Sequence, residues 1–312
     1  MRVIVARPRG FCAGVQRAVH VVEMALAEHG APVYVRKQIV HNSHVVRRLS
    51  AGGAVFVEEL DEVPAEAVVI LSAHGCSPTV SETAQRRGLR IIDATCPLVA
   101  KVHREVRRYS ARGYRIILIG HRGHDEVIGT LGQVPEHIVL VEAAADVARL
   151  DLLAIEKGVI LTQTTLSQDD TGEIVAALRQ RYPQLELPPS EDICYATQSR
   201  QDAVKELCRQ VDLLLVVGST NSSNSRRLVE VAHRQGVAAH QIDGPDDLDA
   251  DWLTGVDNVG VTSGASTPED VVQDVLARLG ALGVTEITEM DGRDERVTFK
   301  LPDVGQAGDQ PC

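Results

Sequence analysis

Short runs of valine, isoleucine and leucine alternate along the chain with longer segments in which apolar residues recur every three or four positions. The short runs predict buried strands and the longer segments predict helices, so their alternation is typical of parallel sheets covered by helices. Three pairs of apolar runs end in polar loops, most of which contain glycine: "AVVILSAHG" with "RIIDATCP", "RIILIGHRGH" with "GVILTQTTLS", and "LLLVVGSTNSSNS" with "VGVTSGAST". This pattern predicts an α/β fold of three similar units in a pseudo-threefold (trefoil) arrangement.

The same repeat predicts where the units begin and end. We place them at 1–96, 97–193 and 194–282, followed by a C-terminal segment at 283–312 that lacks the strand-and-helix rhythm. The end of that segment, "PDVGQAGDQPC", is polar and is expected to form a mobile tail.

Charge and composition narrow the function classes. A net charge of −11 at pH 7 argues against nucleic acid or an anionic membrane as a partner, because bulk electrostatics oppose both. No apolar run is long enough to span a bilayer, and the opening "MRVIVA" predicts a strand rather than a signal peptide, so we expect a cytoplasmic protein. In that compartment, six widely spaced cysteines favour metal binding, catalysis or burial over a disulfide framework.

Three of the cysteines come just before predicted helices. They are Cys12, Cys96 and Cys194. A helix N-terminus offers unpaired N–H groups and a positive dipole end, which lower a thiol pKa, so the three residues could form a thiolate triad. Their spacing matches no compact zinc or ferredoxin pattern. Zinc, an iron–sulfur cluster and three unrelated buried thiols therefore all remain open on spacing alone.

The other three cysteines have simpler interpretations. Cys208 lies in an apolar helical stripe and is expected to fill the core, because free cysteine packs well. Cys76 follows a loop and Cys312 ends the sequence, and neither is given a chemical role.

The loops that follow the predicted strands carry many hydrogen-bonding groups. They include His41, His74, His124, Thr164, Asn221 to Ser225, and Ser266. Ligands of open α/β sheets bind beyond the carboxyl ends of the strands, and such groups beside glycines suit a phosphate or diphosphate. Taken singly, each could instead be solvated or cap a helix. Glu126 is the candidate carboxyl for proton transfer, and its alternative is a solvated loop glutamate.

Nine segments of the chain resemble one known family. They are "RGFCAGVQRA", "VHN", "SAHG", "DATCPLVAKVH", "IGHRGHDEV", "TQTTLS", "DICYAT", "GSTNSSNS" and "TSGAS". In this order, over residues 1–300, they look like the signature segments of the 4-hydroxy-3-methylbut-2-enyl diphosphate reductases.

The resemblance implies a fold, a cofactor and a reaction. The three α/β units would surround a central 4Fe–4S cluster that is held by Cys12, Cys96 and Cys194, with one iron left open for the substrate. The implied reaction is the reductive dehydroxylation of (E)-4-hydroxy-3-methylbut-2-enyl diphosphate to isopentenyl and dimethylallyl diphosphates, the last step of the non-mevalonate isoprenoid pathway. An external one-electron donor of the ferredoxin or flavodoxin type would supply the electrons.

The resemblance also implies residue roles. The groups that hold the diphosphate map onto His41, His74, Ser222, Ser223, Asn224 and Ser266, with His124 nearby. Glu126 matches the proton-relay glutamate, and Thr164 matches the threonine beside the substrate hydroxyl. Asp125 departs from the family pattern, which has proline there, and this change bears on the loop geometry and on the proton affinity of Glu126. The residues without the resemblance also allow a non-redox 4Fe–4S dehydratase or a zinc-binding module without catalysis.

Overall fold

The computed structural model describes residues 1–152, 155–292 and 295–305. The strands are β1 Arg2–Val5, β2 Val33–Arg36, β3 Ala54–Val57, β4 Val68–Leu71, β5 Arg90–Asp93, β6 Arg115–Ile119, β7 Ile138–Val141, β8 Gly158–Thr162, β9 Leu185–Glu186, β10 Leu213–Val217, β11 Ala238–Ile242, β12 Asn258–Ser263 and β13 Glu286–Glu289. The α-helices are α1 Ala13–His29, α2 Ser43–Ala51, α3 Pro78–Arg86, α4 Pro97–Ala111, α5 Asp125–Leu131, α6 Gln168–Arg181, α7 Tyr195–Leu207, α8 Ser223–Arg234 and α9 Glu269–Ala281. Within these residues, no helix has both the length and the apolar character needed to cross a membrane.

The described residues form two compact units. Unit 1 contains residues 1–16, 40–48, 195–292 and 295–298. Unit 2 contains residues 17–39, 49–152, 155–194 and 299–305.

Unit 1 is built on one parallel sheet with the strand order β11-β10-β12-β1-β13. Side chains alternate along each strand, so Leu215 and Val261 pack with α9 while Leu214 and Val216 pack with α7 and α8 on the other face. All of β10 is buried, as expected for a parallel strand that is covered on both faces.

Unit 2 holds two parallel sheets, with the orders β3-β2-β4-β5 and β7-β6-β8-β9. In the second sheet, Ile116 and Leu118 pack with α4 and α5, whereas Ile117 and Ile119 pack with α6. Helix α4 follows β5 of one sheet and packs on β6 and β8 of the other, so it connects the two sheets of this unit.

The three sheets repeat one strand order. The first strand lies between the second and the third, and the fourth pairs with the third. Unit 1 takes its fourth strand, β1, from the opposite end of the chain. The ranges 1–96, 97–193 and 194–282 stay predictions as domains. Strand β1 of the first range pairs with β12 of the third.

One of the three predicted pairs is out of phase with the repeat. The pairs β6 with β8 and β10 with β12 are first and third strands, but β4 and β5 are a third and a fourth. The true counterpart of β6 and β10 is β2, "VYVR". The apolar pattern missed it because its buried positions alternate with half-buried ones, including an arginine.

Local predictions about helices and cysteines fare better. Helices α1, α4 and α7 each begin one residue after Cys12, Cys96 or Cys194. Cys208 packs in the core of unit 1, as predicted. The C-terminal segment departs from the expectation that it lacks the strand-and-helix rhythm, because it contains β13, which pairs with β1. Cys312 and the end of the predicted tail, 306–312, lie outside the described residues.

Candidate active site

The backbones of the three cysteines are bound in the same way. Their N–H groups donate to carbonyl oxygens at 3.0 Å in the pairs Cys12 with Ala265, Cys96 with Ala73, and Cys194 with Thr164. Each acceptor lies two residues beyond the third strand of its sheet, which is β12, β4 or β8. The threefold pattern of the sequence is therefore also a repeat of main-chain hydrogen bonding at the strand-to-helix junctions.

The expected lowering of the thiol pKa is wrong at Cys12. Burial raises the pKa of this thiol and outweighs the opposing effects of Arg200 and of the N–H groups of Val15 and Gly14. All five described cysteines are thiols. Thiols at such junctions fit a soft metal centre such as an iron–sulfur cluster, because metal ligation deprotonates a thiol that burial alone keeps neutral.

A buried arginine fixes the loop that precedes Cys12. Arg200 of α7 is fully buried, and its guanidinium donates to the carbonyl of Gly10 at 2.8 Å and to Glu295 Oε1 at 2.6 Å. Gly10 adopts a φ of 70°, and its own N–H donates to Ser263 Oγ at 2.8 Å. Arg200 was not predicted, because one charged residue in a helical pattern carries no sign that it is buried.

Glu126 and Thr164 form a buried pair in unit 2. The Thr164 N–H donates to Glu126 Oε1 at 2.7 Å, and the Thr164 hydroxyl donates to Oε2 at 3.0 Å. His124 caps α5, because its Nδ1 accepts the N–H of Glu126 at 3.2 Å. Only 3% of Glu126 is exposed, which excludes the alternative of a solvated loop glutamate.

Burial controls the acidity of this carboxyl. It raises the pKa of Glu126 to about 7, against the opposing hydrogen bonds from Thr164 and with a further increase from the carboxylate of Asp192. A carboxyl with such a pKa can hold a proton and release it near neutral pH, which is what general acid catalysis requires.

The loop with His74 is held between two helices of unit 2. The His74 and His124 rings meet edge to face, with centroids 5.9 Å apart. Gly75 adopts a φ of 72°, and a Cβ there would lie 2.6 Å from Cε1 of the fully buried His103 in α4. On the other side, Gln133, just beyond α5, donates to the carbonyl of Cys76 at 2.8 Å. This packing sets the position of His74 relative to the helix that carries Glu126.

In unit 1, the predicted anion-binding residues gather at the start of α8. Ser222 is the N-cap, and its Oγ accepts the N–H of Ser225 at 3.3 Å. A Cβ at Gly218 or Gly264 would lie 2.3 or 2.1 Å from Ser225 Oγ. The two glycines thus allow this helix start, with the buried Ser223, to approach the ends of β10 and β12.

One buried donor of Asn224 is left unsatisfied by the described residues. Its Oδ1 accepts the Thr197 hydroxyl at 3.5 Å, whereas its Nδ2 is buried and has no hydrogen-bond partner among the described residues. A buried donor without a partner costs about 1–3 kcal/mol. At a helix N-terminus, an anionic oxygen is the natural acceptor for such a group.

The His41 segment is bound to unit 1 by its neighbours. The Ser266 hydroxyl donates to the carbonyl of His41 at 3.1 Å. Ser43 donates to Asp243 Oδ2 at 2.5 Å, and His44 Nε2 lies 2.9 Å from the Asp243 carbonyl. Burial alone would raise the pKa of Asp243, but hydrogen bonds from serine hydroxyls hold it below its usual value. Asp243 was not predicted, since only the tertiary structure brings it to this segment.

The predicted site residues therefore fall into two groups. Unit 1 carries Cys12, His41, Ser222, Ser223, Asn224 and Ser266. Unit 2 carries His74, Cys96, His124, Glu126, Thr164 and Cys194.

The site combines two features. Cysteines lie at the strand-to-helix junctions of parallel sheets, and a buried carboxyl has a near-neutral pKa. Both are features of α/β enzymes that use a soft metal centre.

Residues 3–280 match the family model described as LytB protein. The 4-hydroxy-3-methylbut-2-enyl diphosphate reductase of Actinobacillus pleuropneumoniae serotype 7 is 54% identical over 305 residues, which is 97% of each chain.

Two solved structures are also similar. The E-1-hydroxy-2-methyl-but-2-enyl-4-diphosphate reductase of Plasmodium falciparum has a TM-score of 0.93 at 42% identity, covering 96% of this chain and 95% of that one. An (E)-4-hydroxy-3-methyl-but-2-enyl diphosphate reductase, described as the terminal enzyme of the non-mevalonate pathway, has a TM-score of 0.65 at 34% identity, covering 90% of this chain and 99% of that one. The chain belongs to the LytB family of 4-hydroxy-3-methylbut-2-enyl diphosphate reductases.

Replacing Gly75 with alanine should lower the free energy of unfolding by about 2–4 kcal/mol, because the new Cβ meets His103 in addition to the strain of a positive φ. Gly88→Ala is the matched control, since Gly88 has a φ of 66° but nothing within 4 Å of the new Cβ. It should lose only about 1 kcal/mol. Anaerobic denaturant titration measures both, and equal losses would contradict the packing described here.

The pKa of Glu126 predicts a pH-dependent stability. Its folded pKa of about 7 lies above the ordinary value of 4.5, so its contribution is fully present below that ordinary value and is lost as the pH rises through about 7. Wild type should therefore lose up to about 3 kcal/mol relative to Glu126→Gln over this range. Unfolding free energies of both proteins, measured at several pH values, test this. A difference that does not change with pH contradicts the assignment.

Proposed function

We propose that this chain catalyses the reductive dehydroxylation of (E)-4-hydroxy-3-methylbut-2-enyl diphosphate to isopentenyl and dimethylallyl diphosphates. The C–O bond breaks, two electrons enter, one proton goes to the departing oxygen to form water, and a second goes to an allylic carbon. Membership of the family supports the substrate. The observation that carries the chemistry is the buried Glu126, which accepts two hydrogen bonds from Thr164 and has a pKa of about 7.

In this proposal, Cys12, Cys96 and Cys194 hold a single 4Fe–4S cluster. The equivalent backbone hydrogen bonds of the three residues support the assignment, because each cysteine lies at the same position relative to its sheet. When bound, such a cluster supplies electrons one at a time and a Lewis-acidic iron without a protein ligand. A donor of the ferredoxin or flavodoxin type would deliver the electrons. The cytoplasmic location of the protein stays a prediction.

The diphosphate would be held by histidine, serine and asparagine side chains. These are His41, His74, Ser222, Ser223, Asn224 and Ser266, with His124 nearby. The unpartnered Nδ2 of Asn224 supports this role, since a phosphate oxygen would supply the acceptor that it lacks. Holding the diphosphate fixes the position of the hydroxyl at the other end of the substrate, which is catalysis by positioning.

Glu126 and Thr164 would handle the protons. When Glu126 is protonated on Oε2, its hydrogen bond with Thr164 reverses, and the carboxyl donates to the hydroxyl oxygen. The carboxyl can then pass its proton to that oxygen while the hydroxyl gives its own proton to the departing oxygen. A diphosphate site without lysine helps, because several lysines nearby would stabilise the ionised form of Glu126 and lower its pKa.

The three cysteines can be tested against two internal controls. Cys12→Ala, Cys96→Ala and Cys194→Ala should each lose most of the iron and sulfide bound per chain and the brown colour of the anaerobic protein. Cys208→Ala and Cys76→Ala should keep them, since Cys208 packs in the core of unit 1 and Cys76 is buried beside Ser81. Retention of full iron in any of the first three variants, or a colourless zinc protein, would count against the proposed ligands.

The reaction is tested by an anaerobic assay with the hydroxylated diphosphate, a low-potential reductant and product identification. We expect both five-carbon diphosphates, and no turnover without reductant. Glu126→Gln should lower kcat about 10²–10⁴-fold with its cluster absorption intact, because it removes the acid. Glu136→Gln, at an exposed glutamate, should behave as wild type. Turnover without reductant would indicate a dehydratase, and an active Glu126→Gln would exclude Glu126 as the acid.

A further inference from the structure

The three helices that follow the candidate cysteine ligands each carry a cation in the second turn. The cations come five or six residues after the cysteine, and they are Arg17 in α1, Lys101 in α4 and Arg200 in α7. Cationic side chains of a soluble protein usually lie in water. Here Arg200 is fully buried, and Arg17 and Lys101 are partly buried. The three side chains therefore contact the rest of the protein.

Arg17 binds the main chain just before Cys96. Its guanidinium donates to the carbonyl of Thr95 at 3.1 Å and to that of Asp93 at 3.5 Å. Its Nε donates to the carbonyl of Lys300 at 2.9 Å. Burial lowers the pKa of Arg17, and interactions with Asp93 and the Cys96 sulfur oppose this change. The cation thus fixes the loop that leads to Cys96.

Lys101 binds the main chain just before Cys194. Its Nζ donates to the carbonyls of Glu191 at 2.8 Å and Ser190 at 3.3 Å. It also donates to Asp192 Oδ1 at 3.1 Å, on a carboxylate whose side chain is only 1% exposed. These three oxygens match the three donors of an ammonium group.

Arg200 binds the main chain just before Cys12. Its guanidinium donates to the carbonyl of Gly10, two residues before the cysteine, at 2.8 Å. The carbonyl of Ala196 and the carboxylate of Glu295 accept its other hydrogen bonds at 2.9 and 2.6 Å. Burial raises the pKa of the Cys12 thiol, and the charge of Arg200 is the largest effect that opposes this rise.

The three contacts close a cycle. The helix after Cys12 binds the segment before Cys96, the helix after Cys96 binds the segment before Cys194, and the helix after Cys194 binds the segment before Cys12. Each contact lies within one compact unit. Hydrogen bonds from a cation are stronger than those from a neutral donor, so each contact is a firm link between one cysteine helix and the loop of the next cysteine.

We propose that Arg17, Lys101 and Arg200 are positioning residues, each of which holds the next cysteine of this cycle in place for metal ligation. The inference rests on the proposed function, which assigns the three cysteines to one cluster. A ligand loop that is held in advance loses less conformational freedom when the metal binds. Removing a cation should therefore loosen the next cysteine, and not the cysteine that begins its own helix.

Hydrogen exchange tests the direction of each contact. The N–H groups of Cys12, Cys96 and Cys194 are hydrogen-bonded, so their exchange reports the local opening of each junction. Exchange in the full-length chain is read by mass spectrometry with electron-transfer fragmentation. Arg17→Gln should speed exchange at Cys96 about 10-fold and leave Cys12 unchanged. Lys101→Met should do the same at Cys194 and leave Cys96 unchanged.

Arg200→Gln should speed exchange at Cys12 only. Control variants separate this role from general stabilisation. Arg104→Gln removes an exposed charge from the same helix as Lys101 and should change exchange at none of the three cysteines. The conservative variants Arg17→Lys and Lys101→Arg should restore most of the protection, because a cation still reaches the carbonyls.

The anaerobic holoprotein gives a second readout. Release of iron to an excess of an iron(II) chelator should be about 10-fold faster in Arg17→Gln, Lys101→Met and Arg200→Gln than in wild type, because each variant holds one cysteine less firmly. Arg104→Gln should release iron at the wild-type rate.

The inference is overturned if no junction loosens, if all three loosen alike in one variant, or if the cysteine of the cation's own helix loosens instead of the next. Arg17 and Lys101 are partly exposed, so their variants decide the outcome even where Arg200→Gln does not fold. A wild-type chain that holds no iron would sink the proposed function. The exchange pattern is measured with or without iron, so it judges this inference separately.

Discussion

The candidate site depends on one constraint that occurs three times: a cysteine N–H group donates to a carbonyl two residues past a strand. In a parallel sheet, the carboxyl ends of all strands share one edge, so a residue between the fourth strand and the next helix must pass the loop that follows the third. The bond fixes the main chain at that crossing without using the side chain. A thiol can therefore serve as a ligand there while the backbone stays satisfied.

Burial, rather than a neighbouring charge, makes the acid. Among the described residues no cation forms an ion pair with Glu126, and its pKa is raised because the ionised form has lost most of its contact with water. Thr164 opposes that shift with two hydrogen bonds, so the pKa of the carboxyl stays close to neutral. The Nδ2 of Asn224 is the converse case, a buried donor for which the described residues supply no acceptor.

Patterns that act over a few residues were readable from the sequence. The start of α4 follows from Pro97, and the end of α1 follows from Gly30, which takes the left-handed conformation at a φ of 73°. The cysteines and the strand-end loops were found the same way, because strand, loop and helix succeed one another in the chain. Strand β2 was missed for the same reason, since its apolar alternation is too weak to stand out locally.

The sequence by itself determined the class of fold, the three cysteine positions and the residue types of the loops, since each depends on local spacing and propensity. Only the tertiary structure decided that β1 completes the sheet of β10 and β12, that Arg200 donates to the carbonyl of Gly10, and that the carboxyl of Glu126 accepts hydrogen bonds from Thr164. These contacts join residues far apart in the chain. Their energies come from burial and hydrogen-bond geometry, which no short window of the sequence contains.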